Sequence, residues 1–158
     1  MPEVTPSGWS QADINHMQAA LRAAEQAAEL GEVPVGAVVV LNNEVIASGS
    51  NRSIADSDAS AHAEVVALRA AGCALGNHRL SNATVYVTLE PCIMCAGALA
   101  QARVGRVVFA AYDNKAGALG SVEDLSDSKA LNHHYEINGG LLEDPANDLL
   151  KGFFRARR

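Results

Sequence analysis

Residues 83–102, ATVYVTLEPCIMCAGALAQA, read as a strand that passes almost directly into a helix. ATVYVTL (83–89) is a short apolar run of strand length. CIMCAGALAQA (92–102) is a helix of small apolar residues, and Pro91 suits its entry. Downstream, RVVFAAY (106–112) is a further strand. Upstream, VGAVVVL (35–41) is a nearly continuous Val-rich run, as a buried strand requires. Asn42-Asn43 supplies a tight turn into EVIASGS (44–50), which makes a hairpin. The polar loop 51–60 leads into the helix of ASAHAEVVALRAAG (59–72).

The ends complete the pattern. Ser10 is a helix N-cap, followed by Ile14, Met17, Leu21, Ala24 and Ala28 at helical spacing, with Gly31 to stop the helix. HYEIN (134–138) is a short edge strand. Asp144-Pro145 starts a last helix, with Asp as cap, running through Leu149, Leu150, Phe153 and Phe154. Strands and helices alternate after an opening helix and hairpin. The expected fold is α/β, a three-layer α/β/α sandwich around a mixed sheet of about five strands. No repeat or linker divides the chain, so one domain over residues 1–158 is expected.

Composition narrows the function. Of 158 residues, 49% are hydrophobic and 19% charged, which favours a packed core over disorder. The formal net charge of -6 repels nucleic acid overall, so any RNA contact must be a local patch. The evident patch is KGFFRARR, with Lys151, Arg155, Arg157 and Arg158. No segment has the roughly 20 apolar residues of a membrane span, and the first residues lack the basic and apolar regions of a signal peptide. A cytoplasmic protein without membrane contact is expected. Three cysteines there argue against a disulfide framework, and Cys73, among Ala and Leu, is expected in the core.

Cys92 and Cys95 are three apart and share a helix face at a helix N-terminus, whose partial positive charge stabilises thiolates. Such a pair is half a zinc site, a redox pair, or two inert buried thiols. A redox pair is disfavoured by the apolar helix around Ile93-Met94. His62 and Glu64, at the mouth of the other apolar helix, decide further. Either alone reads as capping or dipole compensation. If both helices begin at one edge of the sheet, four groups converge there. His62, Cys92 and Cys95 then bind Zn²⁺ and leave a fourth position open, which describes a catalytic rather than a structural zinc. Two thiolates and a neutral imidazole balance the metal charge. Glu64, not a ligand, is free to carry a proton.

HAE followed by PCIMC resembles the signature of zinc-dependent nucleoside and nucleobase deaminases. EVPVGAVVV, NRS, LSNATVYVTLEPCIMCAGAL, RVGRVVFAAYDNKAGALGS, LNHH and FFRARR extend the resemblance over almost the whole chain, closest to the bacterial tRNA-specific adenosine deaminases. The resemblance implies a cytidine deaminase-like fold, Zn²⁺ as cofactor, a homodimer, and conversion of wobble adenosine to inosine in a tRNA anticodon stem-loop. It implies that a metal-activated water attacks the carbon bearing the amino group. Glu64 protonates the ring nitrogen and then the departing amine. Asn51 matches the residue that hydrogen-bonds the flipped-out nucleoside. By its residue type alone it is a turn residue. Pro34, Val35, Ala63 and Leu89 would line the pocket. Asp113 and Lys115 match a loop that touches RNA, with further phosphate contact from the last helix, Arg52 and Arg79. Ser53 and Asn114 replace frequent prolines and loosen two loops near the substrate.

Two rival readings follow. A small-molecule deaminase of this fold would act on guanine, cytosine or a nucleotide, and the acidic net charge favours it. A zinc-stabilised binding module would have no use for Glu64 beside an open position. The doublet His133-His134 lacks partner ligands and reads as loop hydrogen bonding.

Overall fold

The structure is a computed structural model in which residues 8–157 are described, so Arg158 of the basic patch lies outside the described residues. Its elements are α1 (Gln11–Glu29), β1 (Gly36–Leu41), β2 (Glu44–Ser50), α2 (Ala63–Leu75), β3 (Thr84–Leu89), α3 (Ile93–Gln101), β4 (Arg106–Ala111), β5 (Glu136–Gly139) and α4 (Glu143–Arg155). The strands form one sheet in the order β2-β1-β3-β4-β5. β1 is antiparallel to both neighbours, whereas β3, β4 and β5 are parallel. This is the mixed five-stranded sheet expected. The Asn42-Asn43 turn closes the β1–β2 hairpin with φ of 52° and 64°, the left-handed pair a two-residue hairpin turn demands.

Side chains alternate across each strand and divide the core into two layers. Val39, Val85, Val87, Val107 and Phe109 face α2 and α3 through Ala63, Ala67, Ala96 and Leu99. Val38, Val40, Tyr86, Val108 and Ala110 face α1 and α4 through Met17, Ala20 and Ala146. Gly49 lets α2 lie directly on β2. A Cβ there would stand 2.6 Å from the Ala67 nitrogen and 2.8 Å from the Ala63 oxygen.

Topology then places the two helix starts. α3 follows β3 and so begins where β3 ends. α2 precedes β3 on the same face and must run back to the strand's start, so its own start lies at that same edge.

Two local expectations are corrected. Cys73 is exposed, not core. The buried residues of α2 include Ala63, Ala67 and Ala71, and a residue two past Ala71 points to the opposite side. The last helix starts two residues earlier than a cap at Asp144 would set it. Leu142, at φ 56°, occupies the cap, and no side chain bonds the first turn. Pro145 falls within that first turn, where N–H groups have no helical partner to lose. Ser10, by contrast, caps α1 by accepting from the Asp13 N–H at 3.0 Å.

One polar network ties α1 to the sheet. Asp13 accepts from the Tyr86 hydroxyl at 2.6 Å and from Arg106 Nη1 at 2.9 Å, while Arg106 Nε donates to Asn138 at 2.8 Å. Burial by itself would raise the Asp13 carboxyl. The bonds from Arg106 and Tyr86 and the Arg106 charge outweigh it and hold the group below its ordinary value. A depressed carboxylate stabilises the fold above its unfolded pKa, and that contribution disappears as pH falls through the folded value. Asp13→Asn is therefore expected to cost about 1.5 kcal/mol at pH 7, by weakening the bonds from Arg106 and Tyr86. Urea unfolding should show the gap between variant and wild type closing below roughly pH 4.

Candidate active site

His62 and Cys92 are the N-caps of α2 and α3, and neither side chain makes a capping bond. Both side chains turn instead to the same point beyond the helix ends. His62 Nδ1 lies 3.6 Å from Cys92 Sγ and 3.6 Å from Cys95 Sγ. All three ligand atoms lie within 4.8 Å of one another. A tetrahedral Zn²⁺ with bonds of about 2.3 Å to sulfur and about 2.0–2.1 Å to nitrogen requires an N···S separation of about 3.6 Å. The donor set and spacing therefore fit that ion. Two helix N-termini, each carrying a partial positive charge, also favour the thiolates that ligation needs.

The two thiols lie close together and differ in proton affinity. Cys92 is lowered to about 5, first by the hydrogen bond from Cys95, which with the nearby His62 outweighs burial. Cys95 is raised far above an ordinary thiol, because it gives that bond and is buried. A divalent cation held by His62, Cys92 and Cys95 would take the place of a proton there.

Glu64 stands in the first turn of α2, only 4% exposed. Burial pushes it up to about 7, assisted by negative charge at Cys92 and opposed by its own backbone N–H, Cys95 and His62. A carboxyl poised near neutrality both takes and gives a proton at physiological pH.

The other expected site residues surround this centre unevenly. Asn51 follows β2, and its side-chain oxygen accepts from the Ala63 N–H at 2.9 Å. It thus supplies the cap for α2 that His62 does not. Its amide nitrogen has no protein partner among the described residues, which leaves two donors. Val35 is buried next to buried Pro34, and its carbonyl accepts from the Asn51 N–H at 3.2 Å. Leu89 ends β3, three residues before Cys92. Ala63 is fully buried and its N–H is taken by Asn51. Asp113 spends Oδ1 on the N–H groups of Lys115 and Ala116, and Lys115 projects into solvent.

Lys115 shares a cleft of about 610 Å³ with Lys151, Phe154, Arg155 and Arg157 of the last helix and its end. Arg157 stacks on Phe153, 3.7 Å from the ring centroid, and comes near Gly31. The expected basic patch is thus assembled from two separate segments. Arg79 is not part of it, because the turn from α2 to β3 lies at the opposite edge of the sheet. Arg52 is engaged with Asp56 at 2.9 Å. His133 and His134 bond the carbonyls of Val104 and Ser128, as loop residues do.

Three supporting residues had no expectation attached. Glu32, buried, accepts from the Ile54 and Ala55 N–H groups and holds the loop after Asn51. Tyr135 donates to the Ala96 carbonyl at 2.9 Å and braces the first turn of α3. Glu90 is buried beside Pro91 and gathers the segment after β4. An acidic residue wedged between apolar neighbours, as in VPV preceded by Glu32 or LEP around Glu90, was the available signal.

The sequence profile of the MafB19-like deaminases matches residues 11–158. A tRNA-specific adenosine deaminase of Haemophilus influenzae is 46% identical over 94% of this chain and 87% of its own length. A structure solved in work on A-to-I editing by tRNA deaminases at the wobble position superposes with a TM-score of 0.84 at 42% identity, covering 86% of this chain and 99% of that one. A guanine deaminase of Nitrosomonas europaea superposes at 0.78 with 25% identity, over 97% of this chain and 87% of the other.

Metal-free protein is expected to take up one Zn²⁺ per chain in a spectroscopic titration. Cys95→Ser should weaken binding at least about 100-fold, beyond the loss typical of an outer partner, while Cys73→Ser leaves it unchanged.

Proposed function

The chain belongs to the tRNA-specific adenosine deaminases, within the MafB19-like deaminase family, and from that premise we propose hydrolytic deamination of wobble adenosine to inosine in a tRNA anticodon stem-loop. The single observation that carries this reading is the placement of Glu64, buried, beside a three-ligand centre with no fourth protein ligand among the described residues.

Each residue has a defined task. His62, Cys92 and Cys95 would hold Zn²⁺, which supplies Lewis acidity and lowers the pKa of water towards about 7. Glu64 accepts the proton of the attacking water and delivers it to the ring nitrogen. It then carries a second proton to the exocyclic amine, and ammonia leaves. Its burial favours the protonated form over that of an ordinary carboxylate, which suits a group that must both take and give a proton. Asn51, fixed through its oxygen by α2, offers its free amide nitrogen to the nucleoside. Buried Pro34 and Val35 and the end of β3 at Leu89 supply the apolar wall that keeps bulk water out.

An RNA substrate is supported by the cationic cleft that Lys115, in the loop after β4, forms with the last helix on an otherwise acidic protein. Lys115, Lys151, Arg155 and Arg157 meet phosphate there, with exposed Phe154 beside them as a stacking surface. A free-base deaminase would have no need of that cleft, and the weaker identity to the guanine deaminase agrees. A homodimer in the cytoplasm belongs to the same reading. The open groove of about 990 Å³ between α2 and α3, walled by Val65, Leu68, Ala98 and Ala102, is the apolar face a second copy would cover. No helix among the described residues is long and apolar enough to cross a membrane. Sedimentation at micromolar concentration is expected to give twice the chain mass of 16.5 kDa, and a monomer would remove that part.

Incubation with an anticodon stem-loop carrying wobble adenosine is expected to yield inosine, whereas turnover of free guanine or cytosine alone would select the small-molecule reading. Glu64→Gln should retain one zinc per chain and a cooperative unfolding transition while inosine formation falls by about 10³-fold or more. Retained turnover would remove Glu64 from the proton path.

A further inference from the structure

Glu90 is only 2% exposed, yet no Lys, Arg or His pairs with its carboxylate among the described residues. Its charge is met entirely by neutral donors from one segment. Oε1 accepts from the Asp113 N–H at 3.1 Å and from the Ser121 hydroxyl. Oε2 accepts from the N–H groups of Leu119 at 3.0 Å and Ser121 at 3.1 Å. The main chain adds two ties. Glu90 N–H donates to the Ala111 carbonyl at 2.8 Å, and the Pro91 carbonyl accepts from Ala118 at 2.9 Å. Residues 113–121 are therefore wound around a single carboxylate.

The winding is close enough to dictate a neighbour. A Cβ on Gly117 would stand 2.4 Å from Glu90 Cδ and 2.6 Å from the Asp113 carbonyl oxygen. Burying a carboxylate is costly unless hydrogen bonds replace its hydration. An apolar residue would fill this space without that cost, but it could not hold four donors. The charge is thus spent on the shape of the loop. That shape presents Asn114, Lys115 and Ala116 as an exposed tip, and Lys115 faces the cationic cleft. The same residue is two positions from Cys92, so the loop and the first turn of α3 share one reference point.

We propose that Glu90 is a positioning residue for substrate capture. It fixes the Asp113–Ser121 loop at a set distance from the metal centre, so that an RNA strand held at Lys115 delivers its target base to Glu64. The role rests on the reading of the substrate as an anticodon stem-loop. Glu90 touches neither the ligand atoms nor the reacting base, so its loss should weaken capture without slowing the chemical step.

Steady-state inosine formation on the stem-loop tests this in wild type, Glu90→Gln, Ser121→Ala and the double variant. Gln keeps the volume but turns an amide NH₂ towards backbone N–H donors. KM is expected to rise about tenfold or more in Glu90→Gln and a few-fold in Ser121→Ala. The kcat should stay within about threefold, with zinc per chain unchanged. The double variant should be no worse than Glu90→Gln, since both act through one contact. A fall in kcat or zinc content at constant KM would overturn the proposal and leave Glu90 as a support of the metal helix. Should Glu90→Gln fail to fold, Ser121→Ala decides alone, and an unchanged KM there overturns the role. An inactive wild type would remove the function and this role together, whereas an active wild type with unaltered variants removes only the role.

Discussion

Two helix N-termini meet at one edge of the sheet, and their caps His62 and Cys92, with Cys95 in the first turn of α3, bring an imidazole nitrogen to 3.6 Å from each of two sulfurs. Everything else is arranged around that meeting. Donor atoms so close suit a shared divalent cation. The positive ends of the two helices make the cation-ready, thiolate form the favourable one. The parallel run of β3 with β4 and the direct seat of α2 on Gly49 are the means by which the two ends are held together.

Three buried carboxylates around this centre show how environment divides labour among like groups. Glu32 and Glu90 are met by backbone N–H donors and shape the two loops that flank the site. Glu64 meets only its own N–H and a sulfur, so burial dominates and its proton affinity rises to near neutrality. A carboxylate rich in donors becomes a scaffold, and one poor in donors becomes an acid and base. Asn51 combines both habits, with its oxygen committed to α2 and its nitrogen unspent.

Much of the fold was legible because its signals are local. The Val-rich run of β1, the Asn42-Asn43 turn and the Ser10 cap each act over a few residues, and each appears where expected. The errors came where locality fails. Cys73 sits in an apolar stretch, but only the direction in which α2 faces the sheet decides its exposure. The start of α4 was misplaced because Leu142 takes a left-handed conformation at the exit from β5, which a leucine does not advertise.

By itself, the sequence determined the chemistry on offer: two thiols one helical turn apart, a His and a Glu at another helix mouth, and a strand–helix alternation that could bring them together. These follow from backbone geometry over a handful of residues. The tertiary structure decided the distances. His62 and Cys92 are 30 residues apart, and no local rule sets their separation to 3.6 Å. It also decided that Lys115 joins the end of α4 in one cleft, and that Glu90 gathers donors up to 31 residues away. Electrostatic and hydrogen-bonding effects depend on distance in space and on exclusion of water, and both exist only once the layers have packed.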